Sequence, residues 1–277
     1  MAGKYQGIDF YDVDSLLSEE ERMIRDTVRE WVEDRVIPLI GEAYIERRFP
    51  KEIIPELAEL GMLGANLPEE YGCAGLNNVA YGLINQELER GDSGIRSFAS
   101  VQSSLAMTAI HLFGSEEHRD RYLPEMAAGR LIGAFALTES DHGSDPSGME
   151  TVAVKTAAGY RIDGSKHWIT NAGIAGLIVV WAKLDDRVRG FLVDTALPGV
   201  SIQDIANKLS MRISVTGGLT FNNVVVSEDA LLPGTRGIGS ALSCLNAARY
   251  SIIWGVNGAA ADCLHTALEY TGERKQF

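Results

Sequence analysis

TVAVKTAAGYRIDGSKHWITNAGIAGLIVVWAKLDDRVRGFLVD, residues 151–194, decides the fold of this 277-residue chain. Its apolar runs are short, rich in valine and isoleucine, and cut by Gly, Asn and Asp, the marks of strands joined by tight turns. Several runs alternate apolar and polar residues, as strands with one buried face do. The same texture begins upstream at GAFALTE (133–139) and continues through VSIQDI (200–205) and GLTFNNVVV (218–226). Seven strands, paired antiparallel, are predicted.

Helical periodicity flanks this sheet on both sides. Ser18 and Glu21 form the S-x-x-E capping box that satisfies orphan amides at a helix start. Ile24, Val28, Trp31, Val32 and Val36 then recur at helical spacing. Pro50 and Pro55 bracket the start of a second helix that stops at Gly61, and VAYGLINQELER, SSLAMTAIHLFG and SEEHRDRYLPEMAAG continue the pattern to Arg130. After Pro233 and Gly234 the period is helical again, from about Gly239 to the end. The boundaries predicted are 1–130 helical, 131–235 sheet and 236–277 helical, an α+β chain. No Pro- or Ser-rich linker divides it, so the parts are expected to pack as one body.

Composition removes several classes of function. Hydrophobic residues are 45% and charged residues 23%, ordinary globular values. Lys plus Arg is 25 against 38 Asp plus Glu, a formal charge of −13. That field repels nucleic acid and anionic lipid, so a phosphate-bearing ligand needs a local cationic pocket. Charge-free stretches around Arg249 run only 12 residues, too short for a membrane span. MAGKYQGIDF has no apolar signal core. Cys73, Cys244 and Cys263 have no metal-like spacing and read as reduced thiols of a cytoplasmic protein. The five histidines (111, 118, 142, 167 and 265) are scattered, so no metal site is expected.

Two segments point to a ligand. TESDHGSDPSG (138–148) places hydroxyls and free amides at a strand end, either as a plain surface loop or as a polar ligand's cradle. In Lys166–Asn171 a tryptophan stands beside Thr and Asn, either as core or as the flank of a flat heterocycle.

FALTESDHGSDPSGMET (135–151), SKHWITNAG (165–173), KLSMRISVTGGLTFNNVVV (208–226) and ERKQF (273–277) together resemble the acyl-CoA dehydrogenases, in the family's order and over nearly the whole chain. The resemblance implies an N-terminal helical domain, a central antiparallel β domain and the start of a C-terminal helical bundle that is incomplete here. It also implies FAD as cofactor, an acyl-CoA substrate, an electron-transfer flavoprotein as electron acceptor and a homotetramer. Within the family, ELERGDSGIRSFASVQSSL (87–105), YGCAGLNNVAYG (71–82) and CLNAARYSIIWG (244–255) are most similar to the glutaryl-CoA dehydrogenases. These oxidise glutaryl-CoA to glutaconyl-CoA and decarboxylate it to crotonyl-CoA.

By that resemblance FAD would be held by Phe135, Ala136, Leu137, Thr138, Glu139, Ser140, Asp141, His142, Gly143 and Ser144, by Trp168, Ile169 and Thr170, and by Arg274 across a subunit contact. Ser144 would also reach the CoA ligand. The CoA chain would lie along Leu242, Ser243, Cys244, Leu245, Asn246, Ala247, Ala248 and Arg249. Arg96, with Ser97 beside it, would meet the substrate's far carboxylate, a charge that needs a fixed cation in an apolar slot. Glu89 would hold Arg96 or touch the acid. The competing reading makes Arg96 a surface arginine paired with Asp92. Trp181 and Trp254 are expected in the core.

The family's reaction needs a carboxylate to take the α-proton. In the glutaryl branch it is a glutamate expected beyond Phe277. In the isovaleryl and long-chain branches it lies on the helix of Arg249, where the matching position is Ala248, which cannot serve. No base is therefore expected within the chain, which reads as a fragment of a longer enzyme. Alternatives are a short monocarboxylic acyl-CoA dehydrogenase and a catalytically silent acyl-CoA- and flavin-binding module. A final helix without its bundle partners would expose an apolar stripe and lower solubility.

Overall fold

The computed structural model describes Tyr5, Gly7 and residues 9–276; Phe277 of the ERKQF motif lies outside them. The N-terminal layer is built of α1 (Glu19–Trp31), α2 (Ile37–Glu46), α3 (Ile54–Glu59), α4 (Asn78–Gly91), α5 (Ser93–Ser100), α6 (Thr108–Phe113) and α7 (Glu116–Ala127). The capping box forms as expected: Ser18 Oγ accepts from the Glu21 amide at 3.2 Å, and the Glu21 carboxylate accepts from the Ser18 amide at 2.8 Å. Val28, Trp31, Val32 and Val36 enter one core with Ile84, Leu88, Ile95 and Phe98. Two π-helical segments, Val32–Val36 and Val101–Met107, interrupt the helical runs. Such wider turns redirect side chains and recur at functional sites.

All seven strands form: β1 (Gly133–Ala136), β2 (Val152–Thr156), β3 (Gly159–Thr170), β4 (Leu177–Leu184), β5 (Arg187–Asp194), β6 (Val200–Asp204) and β7 (Thr216–Val226). They make one sheet in the order β1-β4-β2-β3-β7-β6, with β5 on β4. Pairing is mainly antiparallel, but β1 runs parallel to β4 from Gly133↔Leu177 to Ala136↔Val180. Chain-local patterning predicts hairpins; it carries no sign of this longer-range parallel contact. β3 slips register against β7 between Lys166 and Ile169. This bulge frees His167 and Trp168 from the ladder.

The chain closes with α8 (Ile238–Glu273), which lies along α4. The crossing is close because glycines face it: a Cβ on Gly258 would stand 1.9 Å from the Gln86 carbonyl oxygen. Trp181 is fully buried. Trp254 corrects the core expectation: it is half-buried and its ring lies over Gly82, where a Cβ would come within 2.3 Å. Leu242, Ile252, Ile253, Val256, Leu264, Leu268 and Tyr270 of α8 are exposed. No described helix is long and apolar enough to cross a membrane.

Candidate active-site cleft

Where β1 ends, the chain runs into loop 137–151, and the β3 bulge lies beside it. His167 donates its amide to the Thr138 carbonyl at 2.8 Å, tying the two together. Under them Lys166 is buried, and its Nζ donates to the Leu137 carbonyl at 3.0 Å and to Glu139 Oε1 at 2.9 Å. The Glu139 carboxylate also accepts from the Glu150 amide at 2.6 Å and from the Thr151 amide and hydroxyl at 3.0 and 2.6 Å. One carboxylate thus fixes both ends of the loop to the sheet. These donors hold it at about 2, well below its ordinary 4.5, against the opposing effect of burial. Burial pushes the Lys166 ammonium the other way, below its usual range.

The bulge delivers Trp168 with φ at +61°, in the left-handed region that bulky residues avoid. Its indole is 57% exposed. It borders a cleft of about 390 Å³ between the sheet and α8. Phe135, Leu137, Thr138, Gly143, Ser144, Ile169 and Thr170 complete the sheet side. Leu242, Leu245 and Arg249 of α8 form the opposite wall. Val101, Leu105 and Pro146 also line it and were not anticipated. The first two stand on the π-helical segment, which no local signal in the sequence marks.

The structure therefore brings much of the anticipated set to one place, but not all of it. Ala136 faces the opposite side of the sheet from Phe135 and Leu137, in a separate core. Glu139 is committed to Lys166 and the loop amides. Ser140, Asp141 and His142 stand on the loop but are not among the cleft-lining residues. On α8, Ser243 donates to the Gly239 carbonyl and Cys244 is buried, its thiol pushed up to about 12. Asn246 accepts from Arg249 Nη1 at 2.8 Å, while Ala247 and Ala248 do not line the cleft. Arg274, 25 positions beyond Arg249, lies about 37 Å further along the helix at 1.5 Å per residue.

Arg96 and Ser97 are buried on the α5 helix that runs into Val101, and neither is among the cleft-lining residues. The alternative pairing of Arg96 with Asp92 does not occur. Asp92 instead accepts from the Gly94 amide at 2.6 Å, capping α5. Arg96 Nε donates to Glu89, which also accepts from Ser93 Oγ at 2.6 Å. Further along the same helical run stand a Ser100–Ser251 hydroxyl pair at 2.7 Å and a Tyr81–Ser104 pair. Asn85 donates to the Tyr81 carbonyl at 2.8 Å, and its buried Oδ1 has no partner among the described residues. A polar seam thus runs between α4, α5 and α8, and apolar cores flank it. No described cluster of His, Cys, Asp and Glu could hold a metal.

The cleft presents a flat aromatic face, an apolar floor, two threonine hydroxyls and one cation at the rim, and no carboxylate among its described lining residues. An exposed indole on strained backbone, with hydroxyls beside it, fits a flat heterocycle with polar edges.

The family model "Acyl-CoA dehydrogenase, N-terminal domain" matches residues 18–130, and "Acyl-CoA dehydrogenase, middle domain" matches 134–224. A probable acyl-CoA dehydrogenase of Bacillus subtilis is 35% identical over 94% of this chain, which spans only 44% of that relative's length. The short-chain-specific acyl-CoA dehydrogenase of Clostridium acetobutylicum is 34% identical, covering 96% of this chain and 72% of that protein. A crystal structure of a Mycobacterium smegmatis glutaryl-CoA dehydrogenase in complex with FADH2 superposes with a TM-score of 0.95 at 45% identity. It covers 100% of this chain and 71% of that one.

Proposed function

Since the chain belongs to the acyl-CoA dehydrogenase family, we propose that its cleft binds FAD and the reacting end of an acyl-CoA, and that the acyl group is dicarboxylic, of the glutaryl type. The observation that carries the acyl choice is the buried Arg96 at the far end of the polar seam. FAD, when bound, supplies the hydride acceptor for α,β-dehydrogenation.

The chain's own residues divide the remaining work. Trp168 flanks the flavin ring, with Phe135, Leu137 and Ile169 excluding water beneath it. Thr138 and Thr170 offer hydroxyl donors to its polar edge, and Gly143 and Ser144 offer loop donors. Leu242 and Leu245 cover the acyl chain, and Arg249 attracts phosphate in an otherwise anionic field. Arg96, oriented by Glu89 and accompanied by Ser97, receives the distal carboxylate, where a charge-assisted bond in a dry site is strong. In the complete reaction glutaryl-CoA becomes glutaconyl-CoA, which loses its distal carboxylate as CO2 to give crotonyl-CoA, with an electron-transfer flavoprotein taking the electrons and Arg274 reaching FAD of a neighbouring subunit in a tetramer. The parts 1–130, 131–235 and 236–277 serve as slot, flavin platform and cover.

The described lining residues offer no carboxylate for α-proton removal, and this favours a second reading for the 277 residues themselves: binding without turnover. Dialysis of the chain with FAD, then titration with glutaryl-CoA and butyryl-CoA, tests the proposal. Retained flavin and tighter glutaryl-CoA binding support it. A chain that holds no flavin, or that binds both thioesters alike, refutes it.

A further inference from the structure

Gly255 of α8 lies directly over the Arg96–Glu89 pair. A Cβ there would stand 2.9 Å from Glu89 Oε2 and 3.2 Å from Arg96 Nε. The atoms it would strike belong to the ends of side chains. At Gly258, one turn on, the obstacle is backbone: the Gln86 carbonyl at 1.9 Å. The two glycines therefore do different things. Gly258 lets α8 approach α4. A methyl group at 255 fits under the same helix crossing provided the Glu89 carboxylate and the guanidinium move.

Glu89 Oε1 is taken by Ser93 Oγ, and both partners of the pair are buried. On α8, Ser251 is committed to Ser100 and to the Ala248 carbonyl, each at 2.7 Å. A displaced carboxylate turns towards Arg96 and occupies the donors a second carboxylate would need.

We infer that Gly255 is a specificity-determining residue: its missing side chain keeps the Arg96–Glu89 pair in the position that admits a dicarboxylic acyl group. The inference rests on the glutaryl-type reading above. Any larger residue at 255 shortens the polar end of the slot and leaves the apolar part, lined by Val101, Leu105, Leu242 and Leu245, untouched. Gly255→Ala thus converts a dicarboxylate site into one for short monocarboxylic chains.

The test uses the flavin-loaded 277-residue chain and its Gly255→Ala variant, with Kd measured for glutaryl-CoA and butyryl-CoA by titration calorimetry and Tm measured for each. Expected for the variant are a Kd for glutaryl-CoA raised at least tenfold, an unchanged Kd for butyryl-CoA and a Tm close to the parent's. Equal loss of both ligands marks a packing role and overturns the inference; so does unchanged preference. A parent chain that does not prefer glutaryl-CoA overturns the substrate reading itself. A crystal structure of the variant with the Arg96–Glu89 pair unmoved overturns the inference alone.

Discussion

Lys166 Nζ and Glu139 Oε1 stand 2.9 Å apart beneath the cleft, with both side chains almost wholly removed from solvent. Lys166 immediately precedes the bulge that carries Trp168, and Glu139 anchors the loop that carries Ser144. The pair is therefore the joint between the two halves of the sheet-side wall. Removing one partner of such a pair strands a buried charge and costs about 3–5 kcal/mol. Lys166→Met is expected to lower unfolding free energy by that amount in urea titration and to weaken FAD retention. A variant as stable as the parent contradicts this role.

The same carboxylate sets an acid response. Because Glu139 is held at about 2 in the folded state against 4.5 ordinarily, its contribution is full above pH 4.5 and is lost as pH falls towards 2. Denaturant midpoints measured across that window are expected to fall with pH. In Glu139→Gln, weaker at neutral pH, the slope is shallower. Identical slopes count against the assignment.

Trp168 presents the opposite balance. Its backbone sits at a positive φ and its ring is half-exposed, so glycine there relieves strain of about 1 kcal/mol but gives up the buried part of the ring, about 2 kcal/mol. Trp168→Gly is expected to lower the Tm only slightly, yet to raise the Kd for FAD at least tenfold, about 1.4 kcal/mol. Fluorescence titration with FAD reads this directly.

Arg96→Ala removes the cation and strands Glu89, so the cleaner variant is Arg96→Ala combined with Glu89→Gln. Glutaryl-CoA binding is expected to fall at least a hundredfold, about 2.7 kcal/mol, with butyryl-CoA affinity within threefold of the parent. Parallel loss of both ligands in calorimetry rules out a role in recognising the distal carboxylate.

On α8, Ile253 and Val256 are 64% and 52% exposed, and Leu264 and Leu268 extend the apolar face. Contiguous apolar surface of this kind drives association. Sedimentation velocity is expected to show concentration-dependent self-association that Ile253→Glu reduces without a change in Tm. A monomer at all concentrations excludes it.

How far these features could be read from the sequence follows from their range. The seven strands are legible because valine-rich alternation and turn residues are local signals. The parallel β1–β4 contact is not, since no hairpin spacing encodes it. The cleft residues from Phe135 to Thr170 are visible through motif resemblance, and Trp168 through its neighbours Thr170 and Asn171. Val101 and Leu105 are apolar residues outside any ligand motif, and no local signal marks the π-helical segment on which they stand. A motif marks contiguous positions, whereas a strand turns alternate side chains such as that of Ala136 away. Arg96 was placed by resemblance; its pairing with Glu89, seven residues away, and the glycine above it depend on how α5 and α8 cross α4.

The most direct test of the account is an anaerobic visible spectrum of the FAD-loaded 277-residue chain before and after glutaryl-CoA. A yellow protein whose flavin bands shift on binding and remain oxidised is expected, because no carboxylate stands among the described lining residues of the cleft. A chain that retains no flavin, bands that do not move, or bleaching of the flavin would each contradict it.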